Sequence, residues 1–168
     1  MKHALLLTGV LIGYVPAALC VSFNTDALKS MQQEGKKIAE QAKALRAFAL
    51  PNNKCLHVTG DLRKAGANVG FQDCNADSNN QKWRFDEQGR LANQGGKCLG
   101  VAGDPNKPGA SAVLQDCGAA KAQRWTQDGK QRLVNGVGKC LHAVGDGNTV
   151  AGNVVTTNCG EAPNQVWR

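Results

Sequence analysis

Six cysteines, two histidines and a recurring Gly-Asp pair carry most of the reactive side-chain chemistry beyond residue 50. The cysteines fall as Cys55 and Cys74, Cys98 and Cys117, and Cys140 and Cys159, 19 residues apart each time. Thiols so placed can form disulfides or, with histidine, hold zinc. No Cys-x-x-Cys occurs, and His57 and His142 stand in different copies of the pattern, so no metal site is expected. Six cysteines allow fifteen pairings, and the regular spacing favours two of them, within each copy or between neighbouring copies. Spacing alone does not choose. Asp61, Asp104 and Asp146 each follow a glycine six residues after the first cysteine of a copy. Gly-Asp is turn chemistry, and it also sets a carboxylate at one repeated place. No nucleophile motif, phosphate loop or carboxylate pair stands out, and the serines are Ser22, Ser30, Ser78 and Ser111. Neither an enzyme nor a cofactor is expected.

The elements that position these residues are three copies of one phrase. Lys54-Cys55-Leu56, Lys97-Cys98-Leu99 and Lys139-Cys140-Leu141 open the copies. Gln81-Lys82-Trp83, Gln123-Arg124-Trp125 and Gln165-Val166-Trp167 close them, with the tryptophans 42 residues apart both times. From Asn52 onward, glycine and Asn/Asp clusters separate short apolar pairs and no helical stripe is sustained, an all-β, turn-rich pattern. Helical solenoids of similar repeat length do not tolerate this much Gly and Asn, and propellers typically need four or more blades. A compact, closed, threefold β structure remains. Strand alternation then sends Leu56, Val58, Val69 and Phe71 inward and Cys55, His57, Gln72 and Cys74 outward. Leu99, Val101 and Leu114, and Leu141, Ala143 and Val154, repeat the inward pattern. Each tryptophan is expected in the core as its copy's largest apolar group, with Gln81, Gln123 and Gln165 satisfying local backbone groups.

Ahead of the repeats, residues 1–20 read as a secretory signal peptide: Lys2 and His3, an apolar run from Ala4 to Val15, and a small-residue end at Cys20. Cleavage there removes the one cysteine outside the repeats, and the run is too short to span a bilayer. The competing reading is a lipoprotein acylated at Cys20, which the bulk of Leu19 disfavours. Residues 21–51 form a helical extension, with a helix expected over 25–50 from the spacing of Leu28, Met31, Ile38, Ala42, Leu45 and Ala49 and a stop at Pro51. Glu34 and Glu40 among the lysines argue against membrane insertion; a packing or partner-binding role suits the helix better. The 168-residue chain carries a net charge of +7 that is spread through both parts, a poor footprint for nucleic-acid binding.

The three Lys-Cys-Leu starts, paired cysteines and Gln-x-Trp ends resemble the ricin-type β-trefoil lectin domain, over about residues 54–167. The resemblance implies a β-trefoil across 52–168 with repeats 54–96, 97–138 and 139–168. It also implies a six-stranded barrel capped by three hairpins, a disulfide within each repeat, and up to three shallow sugar sites. In that family each site uses an Asp two residues after the first cysteine, an aromatic two before the second, and an Asn ahead of Gln-x-Trp. Here the Asp position holds His57, Gly100 and His142. The aromatic position holds Gln72, Gln115 and Thr157, and the Asn position holds Asn80, Ala122 and Asn164. Both the sugar-stacking ring and the carboxylate are therefore replaced.

His57, Gln72 and Asn80, and His142, Thr157 and Asn164, are the candidate carbohydrate contacts, with Asp61 and Asp146 as displaced carboxylates. The first and third repeats are the better sites. The expectation is a secreted, extracellular carbohydrate-binding protein with weak or non-standard sites, its partners glycans or glycoconjugates. The alternative is a trefoil that has lost sugar binding and serves as a protein-interaction or targeting subunit of a secreted toxin or complex, with the 25–50 helix as the candidate contact for a protein partner.

Overall fold

The computed structural model describes residues 25–145 and 149–168; the expected signal peptide and Asp146 lie outside them. The helix α1 covers Thr25–Lys43 and opens on the acidic Asp26, whose charge suits a helix N-terminus. Its last bond runs from Ala44 N to Glu40 O at 3.1 Å. No described helix is long and apolar enough to cross a membrane. The helix expected to reach Leu50 thus stops seven residues early.

Residues 46–50 join the sheet instead. Arg46 exchanges backbone hydrogen bonds with Trp83 at 2.8 Å, Ala49 does the same with Arg168 at 2.8 and 2.7 Å, and Leu56 N donates to Phe48 O at 2.9 Å. Phe48 is fully buried and Leu50 nearly so. Helix propensity is a weak preference, and burying these two side chains while pairing a strand edge outweighs it. The sheet therefore begins before residue 52, where the composition changes.

The described residues form ten strands, numbered in chain order. Three hairpins come from β1 (Lys54–Val58) with β2 (Val69–Asp73), β5 (Cys98–Val101) with β6 (Ala110–Gln115), and β9 (Lys139–Ala143) with β10 (Ala151–Asn158). Between them run β3 (Trp83–Phe85) paired with β4 (Leu91–Asn93), and β7 (Trp125–Gln127) paired with β8 (Leu133–Asn135). Bridges at Arg46–Trp83, Arg90–Arg124 and Arg132–Val166 link these segments, and the Ala49–Arg168 pair returns to the start. Six short strands thus close a barrel with no free edge, which removes the usual edge liability. The hairpins meet over one end: β10 pairs with both β2 and β6, and Asn68 bridges Val113.

The interior is threefold down to single hydrogen bonds. Trp83, Trp125 and Trp167 are buried, and their indole Nε1 groups donate to Leu56 O, Leu99 O and Leu141 O at 3.1, 3.0 and 3.1 Å. Gln81, Gln123 and Gln165 each donate Nε2 to the carbonyl just before the second cysteine, at Asp73, Asp116 and Asn158. Each Oε1 accepts from a backbone N–H just after that cysteine, at Asn75, Gly118 and Gly160. Each glutamine thereby staples the loop that leads to its own tryptophan, and its buried amide is satisfied at both ends.

Disulfides join Cys55–Cys74, Cys98–Cys117 and Cys140–Cys159. A loop of this size contributes about 3 kcal/mol per bridge in the chain-entropy model. Strand alternation places all six cysteines outward, yet Cys55, Cys98 and Cys140 are 0–2% exposed. Their own bridges and the neighbouring strand cover them, while Cys117 and Cys159 reach solvent.

Candidate functional site

All three hairpins present an outer face, and its residues decide what can bind there. In β1 and β2 the register sets Cys55 opposite Gln72 and His57 opposite Gly70, so His57 and Gln72 are diagonal neighbours on that face. Gly70 has no side chain because repeat three arrives there: a Cβ on Gly70 would lie 2.2 Å from Gly152 O. Gly152 in turn is flush against the Phe71 ring, where a Cβ would meet the ring at 2.5 Å. This double-glycine approach seats β10 on β2 and leaves a groove of about 440 Å³ along the seam. His57, Thr59, Asn68 and Gln72 line it from one side, and Ala151, Gly152 and Asn153 from the other. Asn68 Nδ2 donates to Asn153 Oδ1 across it at 3.4 Å.

His57 is half-buried, and its Nδ1 lies out of solvent with no hydrogen-bond partner. Burial lowers the ring's pKa below its usual 6.5, so at neutral pH the imidazole is uncharged and offers one donor and one acceptor. A neutral imidazole, an amide at Gln72, a hydroxyl at Thr59 and amides at Asn68 and Asn153 make a wall of mixed donors and acceptors without formal charge. Phe71, Ala151 and Gly152 complete the lining with apolar surface. Such a surface can hold a hydroxyl-rich, uncharged ligand. Thr59, Asn68 and Asn153 are not among the expected site residues. Thr59 shares the face of His57 two residues on, which alternation alone gives. Asn68 and Asn153 come together only through the seam between repeats.

Asn80 and Asp61 stand elsewhere. Asn80 Nδ2 donates to Val58 O at 2.7 Å and Gly60 O at 3.0 Å, pinning the loop that follows β1. Asn164 repeats this in the third copy, donating to Ala143 O and Gly145 O at 3.0 Å each. The carried-over asparagines thus hold loops with their NH₂ groups. Asp61 Oδ1 accepts from Arg63 N at 2.9 Å and Asp104 Oδ1 from Asn106 N at 3.0 Å, the Asx-turn role of Gly-Asp. Asp61 and Asn80 line a second pocket that shares no lining residue with the His57 groove.

The middle copy is filled by its own side chain. Gln115 lies over Gly100, with Oε1 2.1 Å from where a Cβ would stand. Gln115 Nε2 donates to Val101 O at 3.0 Å, and its Oε1 accepts from Gln123 Nε2 at 2.9 Å. A histidine at position 100 would expel this plug. In the third copy His142 pairs with Val155 across the hairpin, and its Nε2 lies 3.4 Å from Asn164 Nδ2. His142 Nδ1 and Asn164 Oδ1 are buried without partners, and burial lowers the His142 pKa as well. Thr157 shares that outer face, so His142, Thr157 and Asn164 gather at one place. Among the described residues, no group of His, Cys, Asp and Glu suits a metal ion.

Residues 44–167 match the family model described as the ricin-type beta-trefoil lectin domain. A comparison with curated proteins finds no match. Among solved structures, the agglutinin from Abrus precatorius aligns with a TM-score of 0.66 at 20% identity, over 75% of this chain and 48% of that one. The chain thus spans about half the length of that agglutinin. The designed threefold-symmetric protein ThreeFoil aligns with a TM-score of 0.65 at 26% identity, over 74% of this chain and 96% of that one. The β-trefoil lectin of the Vibrio vulnificus hemolysin/cytolysin, solved with N-acetyl-D-lactosamine bound, aligns at 0.59 and 26% identity, over 74% and 92%.

Proposed function

The chain belongs to the ricin-type β-trefoil lectin family, and from that premise we propose that it is a secreted carbohydrate-binding protein whose working site is the seam groove at His57 and Gln72. The observation that carries this reading is the groove itself, where the half-buried His57 ring stands with Gln72, Thr59, Asn68 and Asn153 beside Phe71, Ala151 and Gly152. Polar groups that line such a groove are completed by water or by a ligand. Sugar hydroxyls, each both donor and acceptor, complement a neutral imidazole and primary amides. The relative solved with N-acetyl-D-lactosamine supports a glycan as the ligand class.

Three disulfides suit an oxidising compartment, and with the apolar stretch at 4–15 they support secretion. The groove has no carboxylate and no exposed aromatic face, and neutral hydrogen bonds are weaker than charge-assisted ones. Affinity for a single sugar is therefore weak, on the order of 1 mM. The third copy, with His142, Thr157 and Asn164, is the second and lesser site.

A glycan array probed with the mature protein tests the proposal. Binding to a set of glycans sharing one terminal sugar, lost in His57→Ala, is the expected result. An array with no signal above background overturns it and leaves the trefoil as a protein-interaction or targeting subunit, with α1 as the first segment to delete in a pull-down.

A further inference from the structure

A second pocket, of about 410 Å³, lies within the first repeat. Three separate segments build it: the loop Gly60–Asp61–Leu62–Arg63, the short turn at Asn79–Asn80, and the hairpin turn Gln94–Gly95. Each is tied in place. Asn80 holds Val58 O and Gly60 O, as above. Asn93 Nδ2 donates to Leu62 O at 2.8 Å, and Gln94 N donates to Lys82 O at 3.2 Å. Gly95 is pressed against the loop so closely that a Cβ there would lie 2.4 Å from Leu62 O. A pocket whose three segments are tied to one another and to β1 by hydrogen bonds has a preorganised backbone, and preorganisation lowers the cost of binding.

Its chemistry differs from that of the seam groove. The lining residues are mostly polar and carry both signs of charge: Asp61, one carboxylate oxygen of which accepts from Arg63 N, and Arg63 itself. Asn79 and Gln94 line the pocket as well. Lys64 follows Arg63, and Lys82 is bonded through its carbonyl to Gln94, so the surroundings are net positive. A simple anion would gain Arg63 but face Asp61. A neutral sugar would use Asp61 and the amides but leave the guanidinium without a charge partner. A saccharide that bears a carboxylate beside free hydroxyls answers both groups at once.

We infer that this pocket is a further binding site, separate from the hairpin faces, for an acidic sugar. The ligand's carboxylate lies on Arg63, and its hydroxyls lie on Asp61, Asn79 and Gln94. Carboxylate and guanidinium form charge-assisted, bidentate-capable bonds, so the charged contact dominates affinity. The site stands whether or not the seam groove binds sugar, because the two share no residue.

Amide chemical-shift titration of the ¹⁵N-labelled protein tests it, with methyl glucuronide as probe and methyl glucoside as its uncharged counterpart. The expected result is glucuronide-dependent shifts confined to residues 60–63, 79–80 and 94–95, with glucoside about tenfold weaker or more. Exposed Arg63→Gln then weakens glucuronide about tenfold and leaves the His57 and Gln72 resonances unmoved. Equal affinity for the two glycosides, indifference to Arg63→Gln, or shifts that fall only on the His57 groove would each overturn the assignment. So would tighter binding of free glycine, which would make the pocket a zwitterion site.

Discussion

The first and middle repeats share the same frame and differ over one patch of hairpin. Each has a buried indole donating to a leucine carbonyl, a glutamine stapling the loop after its second cysteine, and a disulfide joining the same two positions. Above that frame, the first repeat sets His57 opposite Gly70 and admits the backbone of repeat three at Gly152. The middle repeat sets Gly100 opposite Val113 and folds Gln115 into the space. One hairpin keeps its imidazole beside an open groove, and the other satisfies its polar groups internally. The frame determines the fold, and above it the copies differ in two or three outward residues.

The comparison breaks most decisively at the frame. Trp83→Ala, Trp125→Ala and Trp167→Ala each remove a buried ring and its hydrogen bond, at a cost of about 3–5 kcal/mol. Denaturant unfolding is expected to give losses of similar size in all three. A loss below about 1 kcal/mol at any one would show that its copy does not share the frame.

The same added methyl separates the two patches more finely. At Gly152 it meets the Phe71 ring, itself 1% exposed, and overpacking of that kind costs about 1–3 kcal/mol. At Gly100 it meets only the end of the flexible Gln115 side chain, so Gly100→Ala costs about 1 kcal/mol, the worth of the displaced hydrogen bonds. Gln115→Ala added to Gly100→Ala removes most of the remaining strain. Finding Gly100→Ala the costlier of the two single changes would contradict the plug.

Acidification sharpens the contrast, since the middle repeat has no histidine. Burial holds the His57 and His142 pKa values below 6.5 in the folded protein. Between the folded and unfolded pKa the unfolded chain binds more protons, so stability falls as pH drops below 6.5 and is unaffected above it. Glycan binding at the seam is expected to weaken over the same interval, because protonation removes the imidazole acceptor. His57→Gln flattens the binding profile; a profile unchanged by that substitution would assign the pH dependence to another group. The smallest effect belongs to the surface ion pairs that repeat in both copies, Lys54–Asp73 and Lys97–Asp116. Lys54→Ala and Lys97→Ala each cost under about 1 kcal/mol, measured in the same unfolding series.

The frame was legible in the sequence because its residues recur at fixed intervals, and threefold recurrence of Cys, Gln and Trp leaves little freedom in where they sit. The opening strand was not. In the second and third copies the equivalent strand follows an Asp–Arg turn, with Arg90 Nε on Asp86 Oδ2 at 2.6 Å and Arg132 Nε on Asp128 Oδ2 at 2.7 Å. In the first copy α1 leads in instead, and Leu45 and Ala49 prolong its apolar stripe. The signal was nonetheless present: Phe48 stands seven residues before Cys55, as Leu91 does before Cys98 and Leu133 before Cys140. Of the residues that the family's positions point to, His57 and Gln72 share a groove. Asn80, expected beside them, bonds the loop after β1, and with Asp61 it lines the second pocket. Asn68 and Asn153 were out of reach because a seam between repeats is a contact across the chain, which no within-repeat pattern encodes.

The most direct test is a crystal structure of the protein with its strongest array glycan bound, compared with the same soak of His57→Ala. The terminal sugar is expected on His57, Gln72 and Asn153 in the first and absent from that groove in the second, with Gln115 still covering Gly100 in both. A sugar seated over Gly100 with Gln115 displaced, or one unchanged at the seam when His57 is removed, would contradict the assignment of binding to the open copy.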